Sequence, residues 1–186
     1  MKVSIQKPTW NSDPLTDESL EAMALLSGVW RDACSNFAAT SQMRAANGKK
    51  APMGIQQFIN DEIDARFSAA GWEGKDAKFR KAETWVLISF RHQMSLGSDL
   101  YNALWLWKRE GIKQALLLAG TLDFLRVVTP LDANSLTSFE RYAGAISQMS
   151  GAFNPPIIIG ALEASSKLDP TVAELVLGNR LKRTRA

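Results

Sequence analysis

The chain has few of the cysteine and histidine residues that form disulfides, metal sites and catalytic centres. Its 186 residues include one cysteine and one histidine. A single cysteine excludes an internal disulfide and a cysteine-based metal cluster. Cys34 stands among apolar helix positions, which favours a buried, inert thiol over a nucleophile. His92 lies between Arg91 and Gln93, and this setting favours a polar surface residue over a catalytic base.

Long apolar segments are also missing. The sequence has no run of about eighteen apolar residues, so we expect no membrane-spanning helix. Residues 1–8 contain no apolar signal core, which indicates a cytoplasmic protein. The hydrophobic content of 46% is enough for one core, so we expect a single domain over residues 1–186. Its expected parts are a helical segment 1–70, a core 71–162, and a C-terminal helix with a basic tail at 163–186.

The centre of the chain predicts a βαβ unit. Residues 83–90 are rich in β-branched and aromatic side chains, as in a buried strand. Ser98 and Asp99 then begin a helix, and the apolar run 114–119 predicts a second strand. A strand, a helix and a strand in this order favour two parallel strands in one sheet.

The flanking segments predict helices on either side of this unit. Residues 1–15 read as irregular, and 125–128 as a short strand or extended loop. The expected helices run from Thr16 or Asp17 to about Thr40, from 55 to 70, from Ser135 or Thr137 to about 150, and over 170–177; a further buried strand covers 156–162. The fold class predicted from these elements is α/β, a mixed sheet with helices on both faces.

Positive charge is concentrated in two short segments, although the net charge is only +3. The first contains Lys75, Lys78, Arg80 and Lys81. The second is the C-terminal tail, with Arg180, Lys182, Arg183 and Arg185. Such a distribution suits a nucleic-acid partner without requiring one. For the tail, DNA contact and a solvated end are equally open.

Three stretches resemble a known family. They are residues 52–63, residues 86–90 leading into Asp99, Leu100 and Leu104, and residues 135–162. In order and spacing they are similar to the BglII/BamHI-type restriction endonucleases, which have the PD-(D/E)XK nuclease fold. The resemblance covers about residues 52–162. It implies a restriction-endonuclease-like core, a homodimer or paired subunit, double-stranded DNA as the partner, and a setting in restriction–modification or defence.

The resemblance also implies a site for Mg²⁺-dependent phosphodiester hydrolysis, and here the sequence departs from the family. Members carry an Asp entering the hairpin, a Glu on the central strand, and a Gln, Glu or Lys two residues further along. The strand positions that match are Leu87 and Ser89. Leucine cannot bind a metal ion, and serine is a poor replacement for a carboxylate or amide. The resemblance therefore predicts a DNA-binding protein with a degenerate catalytic motif and no cofactor.

Two other functions remain open, so whether the chain is an enzyme is undecided. The first is an active Mg²⁺-dependent endonuclease with relocated acids, for which the candidates are Asp76, Glu83 and Glu62. Asp61, Glu62 and Asp64 otherwise read as a solvated helix face, although Glu62 or Asp64 could enter a relocated site. The second is a protein-interaction subunit of a defence complex without DNA affinity. For DNA contact, the expected residues are Lys75, Lys78, Arg80, Lys81, Arg91, His92 and Gln93.

Overall fold

The computed structural model describes residues 1–8, 11, 13–50, 52, 54–130, 132–149, 155–167, 169–170 and 172–176. Within these, six named strands and six named helices follow one another along the chain. They are β1 (Lys2–Gln6), α1 (Asp17–Leu25), α2 (Val29–Ala46), α3 (Gln56–Ala69), β2 (Glu73–Lys75), β3 (Lys78–Lys81), β4 (Thr84–Ser89), α4 (Leu96–Glu110), β5 (Gln114–Gly120), α5 (Leu122–Val128), α6 (Phe139–Met149) and β6 (Ile157–Glu163).

The strands form one mixed sheet in the order β1-β6-β5-β4-β3-β2. Strand β4 is parallel to β5, with Thr84 opposite Gln114 and Ser89 opposite Ala119, and β5 is parallel to β6. The strands at the two ends of the sheet, β1 and the β2–β3 hairpin, are antiparallel to their neighbours. The βαβ unit predicted at the centre of the chain is therefore confirmed.

Helices cover both faces of the sheet, and each face has its own core. On the first face, Trp30 of α2, Ile59 of α3 and Phe124 of α5 pack against Ile88. On the second face, residues of α4 and α6 such as Leu100 and Tyr142 pack in one cluster with Leu87. Because neighbouring residues of β4 point to opposite faces, its apolar sequence fills both cores. The predicted α/β class, a mixed sheet with helices on both faces, is confirmed.

The first predicted helix is two helices, which corrects the expectation of one helix to about Thr40. The break is at Gly28, whose φ of 80° lies in the left-handed region that glycine adopts readily. Arg66 of α3 stabilises the break because its Nη1 donates to the carbonyls of Leu25, at 3.3 Å, and Ser27, at 2.6 Å. A distant helix thus satisfies carbonyl groups that the end of α1 leaves open.

Two further predictions of irregular or extended structure were wrong. Residues 2–6 form an edge strand instead of an irregular segment, with Val3 and Ile5 packed against the first core. Residues 125–128 belong to α5, which is capped by the hydroxyl of Thr121 and buries Phe124, Leu125 and Val128. The β-branched pair at 127–128 favours a strand locally, but burial at helical spacing outweighs that preference.

The C-terminal part is described only in places. Residues 172–176 are helical, within the helix predicted at 170–177, and the basic tail with Arg180, Lys182, Arg183 and Arg185 lies outside the described residues. Where the structure describes the chain, no helix combines the length and the apolar character needed to cross a membrane.

Candidate functional site

A cleft of about 700 Å³ opens on the first face, at the carboxyl end of β4. Its walls are the polar side of α3, the turn between β2 and β3, the residues Ile88, Phe90 and Arg91, and, after α5, Thr129, Asp132, Ser135 and Leu136. Crevices at the carboxyl ends of strands are common binding sites in open α/β sheets. The cleft is also polar, with carboxylates from α3, the β2–β3 turn and the segment after α5, and amides from α3.

Helix α3 places one polar stripe along the cleft. Gln57, Asn60, Asp61 and Asp64 follow a spacing of three, one and three residues, which puts them on one side of a helix. Residues Ile59, Ile63 and Phe67 form the buried side that packs on the sheet. The Oδ1 atom of Asn60 is buried without a hydrogen-bond partner among the described residues. A buried acceptor without a partner is costly, and a bound ion or water would satisfy it.

The turn between β2 and β3 forms the second wall, and its backbone is strained. Asp76 and Ala77 have φ values of 53° and 63°, in the left-handed region that disfavours residues with a Cβ. Two neighbours hold this turn. The N–H of Ala77 donates to Oδ1 of Asp64 at 3.4 Å, and its carbonyl accepts from the N–H of Ile88 at 2.8 Å. These bonds bring Asp76 and Asp64 to the same cleft; backbone strain of this kind is concentrated at functional sites.

Strand β4 contributes no oxygen ligand to the cleft. The cleft-facing residues here are Ile88 of β4 and Phe90, which directly follows the strand; both are apolar and buried. The family-equivalent positions Leu87 and Ser89 are also buried, and Leu87 packs in the core of the second face. The sequence resemblance put Leu87 and Ser89 toward a phosphate, whereas neither lines this cleft. The pleat of β4 decides this, because adjacent residues point to opposite faces.

Arg91 stands at the mouth of the cleft and is held from the second face. Its Nη1 donates to Oδ1 of Asp99 at 2.5 Å, and the hydroxyl of Tyr142 donates to the other carboxylate oxygen at 2.8 Å. Asp99 is fully buried, whereas 40% of the Arg91 side chain is exposed. Burial raises the pKa of Tyr142, so its hydroxyl remains a proton donor. His92 and Gln93 are exposed, and Nδ1 of His92 accepts from the N–H of Met94 at 3.3 Å.

The basic segment was expected beside the DNA cleft, and only its turn, Asp76 and Ala77, lines this cleft. Arg80 pairs with Glu110 of α4, on the second face. Lys81 pairs with Glu21 at 2.8 Å and also donates to the carbonyl of Ala70. Lys75 is exposed, and Lys78 lies two residues before Arg80, on the same side of β3. None of the four lines the described cleft.

Two of the three acids proposed from sequence are also outside the cleft. Glu83 precedes β4, at the opposite end of that strand, and pairs with Lys113 at 2.7 Å. Glu62 faces α2, where Asn36 donates to it at 2.7 Å, and it contacts Arg66 at 3.7 Å. Asp76 does line the cleft, together with Asp61 and Asp64 from the helix face that the sequence indicated as solvated.

The charges on the cleft are mainly negative. Asp61, Asp64, Asp76 and Asp132 line it, and Arg91 is the single cation among its described lining residues. Among the residues that the structure describes, no three His, Cys, Asp or Glu side chains form a ready metal cage. Mg²⁺ does not require such a cage, because it is usually held by one or two carboxylates, with water and substrate phosphates completing its shell. The carboxylates of Asp64 and Asp76, together with the unpartnered Oδ1 atom of Asn60, fit such a partial set of oxygen ligands.

Comparisons with known proteins give a partial likeness to solved structures. No family model and no curated protein matches the chain. Among solved structures, the chain is similar to the crystal structure of restriction endonuclease BglII complexed with a DNA 16-mer, with a TM-score of 0.46 and 18% sequence identity. The match covers 56% of this chain and 54% of the other, so it spans about half of each. The activity and partners of this chain therefore remain proposals.

Proposed function

We propose that this cleft binds the DNA backbone together with Mg²⁺ and that the protein is a Mg²⁺-dependent endonuclease with relocated acids. The observation that carries the proposal is the convergence of Asp61 and Asp64 from α3 with Asp76 from the hairpin turn. Four carboxylates in one cleft, these three and Asp132, offset by one arginine, repel a phosphate on their own. A divalent cation held by these carboxylates reverses the local charge, so that the cleft attracts a phosphate.

Each residue has a definite role in the proposal. Asp64 and Asp76 are the principal ligands, and Asn60 and Asp61 complete the oxygen face of α3. When bound there, Mg²⁺ would polarise the phosphodiester and lower the pKa of a coordinated water. Arg91 binds a phosphate oxygen at the mouth of the cleft. The acids named as ligands come from α3 and the turn, because β4 and the residue after it present only Ile88 and Phe90 to the cleft.

The test is nicking of supercoiled plasmid DNA in Mg²⁺ and in EDTA. We expect Mg²⁺-dependent nicking by the wild-type protein and a loss of at least about a hundredfold in Asp64→Asn and Asp76→Asn, because each variant loses a ligand charge. Glu83→Gln and Glu62→Gln are the matched controls, since each removes a carboxylate outside the cleft. Nicking that survives in Asp64→Asn and Asp76→Asn but is lost in Glu83→Gln would contradict the assignment.

The second candidate function is that of a DNA-binding protein with a degenerate catalytic motif. Ile88 and Phe90 favour it, because they are apolar at the point where the strand meets the cleft. Under this reading, the wild-type protein binds duplex DNA more tightly in Mg²⁺ and does not nick it. The protein would then act as a homodimer or paired subunit in restriction–modification or defence.

Whether the protein forms a homodimer can be measured directly. Helix α4 exposes Tyr101 and Trp105, by 65% and 44%, on one side. Sedimentation of the wild-type protein gives its mass in solution. Absence of DNA binding at low salt, with or without Mg²⁺, would leave the protein-interaction subunit as the remaining candidate.

A further inference from the structure

We propose that Arg91 is the phosphate anchor of the cleft and that Asp99 and Tyr142, buried on the other side of the sheet, are its positioning residues. The inference deepens the proposed function, since it assigns residues of the second-face core to the binding of a phosphodiester. Neither Asp99 nor Tyr142 lines the cleft. Both act only through the arginine that does.

Asp99 holds its carboxylate inside the protein, next to Arg91. Its carboxylate has no exposed area, and it lies near the start of α4. A buried carboxylate is retained only if its oxygens are satisfied. Here one oxygen accepts from Arg91 and the other from Tyr142. With both oxygens engaged, the carboxylate has a defined orientation, and the guanidinium that it holds has one as well.

The backbone of Arg91 is fixed independently of its side chain. The carbonyl of Arg91 accepts from the N–H of Thr137 at 2.8 Å, and the carbonyl of His92 accepts from the hydroxyl of Thr137 at 3.2 Å. Thr137 directly follows the segment that forms the far wall of the cleft. Both ends of the Arg91 side chain are therefore held, which is how a binding group is preorganised.

The Arg91 guanidinium keeps hydrogen-bond donors that its contact with Asp99 does not use. A guanidinium has five N–H donors in a planar fork, and Asp99 uses one of its terminal nitrogens. The rest of the fork forms no hydrogen bond with the described residues, and part of the side chain is exposed at the cleft. A planar donor set of this kind matches the paired oxygens of a phosphate. The ligand class is therefore a phosphodiester or a free phosphate.

The experiment is a double-mutant cycle on DNA affinity, measured for a mixed-sequence duplex over a series of salt concentrations. We expect Arg91→Gln to weaken binding about tenfold and to reduce the slope of log K against log salt by about 0.9, the value for one phosphate contact. Asp99→Asn should produce the same loss of slope. Added to Arg91→Gln, it should change nothing further, because its effect acts through Arg91. Asp123→Asn, which breaks an exposed pair with Arg126, is the control and should leave the slope unchanged.

Tyr142→Phe provides a milder variant if Asp99→Asn does not fold. We expect it to weaken binding about threefold in the wild-type background and not at all in the Arg91→Gln background. A merely structural role for the pair would lower thermal stability, keep the slope, and weaken binding equally in both backgrounds. That result would overturn the inference, as would wild-type affinity and slope in Arg91→Gln.

A second measurement separates this inference from the proposed function. Inorganic phosphate should shift the Arg91 Nε–Hε resonance of the wild-type protein and leave the corresponding resonance of Asp99→Asn unchanged. A phosphate response without DNA binding would uphold the anchor and reject the nuclease. Mg²⁺-dependent nicking without any phosphate response at Arg91 would reject the anchor and uphold the nuclease.

Discussion

The carboxylate of Asp64 accepts a hydrogen bond from the backbone N–H of Ala77, at 3.4 Å. This contact joins α3 to the hairpin turn that carries Asp76, and so brings two carboxylates from different elements to one cleft. The backbone conformation of this turn is unfavourable for alanine, and the turn lies beside a cluster of negative charges. Both features cost stability, as is common at sites that bind a ligand.

Mg²⁺ should stabilise the folded protein. An ion that binds only the folded state adds about 1.4 kcal/mol to the free energy of unfolding at ten times its dissociation constant. We expect this increase for the wild-type protein and not for Asp64→Asn or Asp76→Asn. Urea unfolding in MgCl₂, compared with NaCl at equal ionic strength, measures it. Glu83→Gln should respond as the wild type does; an equal rise in all four proteins would indicate a non-specific salt effect.

Glycine should relieve the strain in the two hairpin turns. Ala77 and Ala82 have φ values of 63° and 49°, where a side chain is disfavoured by about 1 kcal/mol. We expect Ala82→Gly to raise the free energy of unfolding by about 0.5 kcal/mol or more after the entropic cost of glycine. Ala77→Gly should do the same, and because it alters the cleft it should also change the response to Mg²⁺.

The opposite change at Gly74 is the matched control for these turns. Its φ is 122°, and a Cβ atom there would lie 2.0 Å from the carbonyl oxygen of Lys78. Gly74→Ala should therefore destabilise the β2–β3 hairpin, by about 2 kcal/mol or more. Urea unfolding compares all three variants. A Gly74→Ala variant as stable as the wild type would show that the hairpin has another conformation.

Gln114 is a buried polar residue outside the cleft whose substitution should be costly. Its Oε1 accepts from the N–H of Thr16 at 3.0 Å and from the hydroxyl of Ser19 at 2.5 Å, and its Nε2 donates to the carbonyl of Pro14 at 3.1 Å. Gln114→Leu leaves these groups without partners, at a cost of about 3 kcal/mol. The urea midpoint measures this loss.

The control for Gln114 is an exposed hydrogen bond. The hydroxyl of Ser147 donates to the carbonyl of Gly144 at the surface of α6. Ser147→Ala should change the free energy of unfolding by less than about 0.5 kcal/mol. If Gln114→Leu behaved like Ser147→Ala, the attachment of α1 to β5 would not depend on this amide.

Cys34 should react slowly in the folded protein. Burial raises the pKa of its thiol from 9.0 to about 11. At pH 9 the unfolded thiol is about half ionised and the folded thiol about 1% ionised, so alkylation by iodoacetamide should be about fiftyfold slower in the folded state. Mass spectrometry of samples with and without urea measures the ratio. A ratio near one would show that the thiol is not desolvated.

The raised pKa of Cys34 also predicts how the free energy of unfolding changes with pH. The folded state binds the thiol proton more tightly, so this contribution to stability is present below pH 9 and is lost as the pH rises through about 11. Cys34→Ser should lack this part of the pH dependence. The sequence had indicated a buried thiol, and the structure shows Cys34 as half-buried.

Patterns within one segment predicted the elements that depend on local burial. The apolar run 83–90 and the run 114–119 became β4 and β5, and helix α3 lies where its apolar periodicity put it. By contrast, the break at Gly28 depends on Arg66, which comes from another helix. The polar side of α3 looked like a solvated surface because nothing in its own sequence shows that Asp76 lies opposite.

The sequence by itself determined the α/β class, the parallel βαβ centre and the exclusion of an internal disulfide, because these depend on composition and on short-range periodicity. The tertiary structure alone decided which acids meet. It separated Glu62 and Glu83 from the cleft, brought Asp61 and Asp64 to Asp76, and directed Leu87 away from them. The physical reason is that successive side chains of a strand point to opposite faces, and those of a helix are distributed around its axis. Which side chains converge therefore depends on how the elements pack.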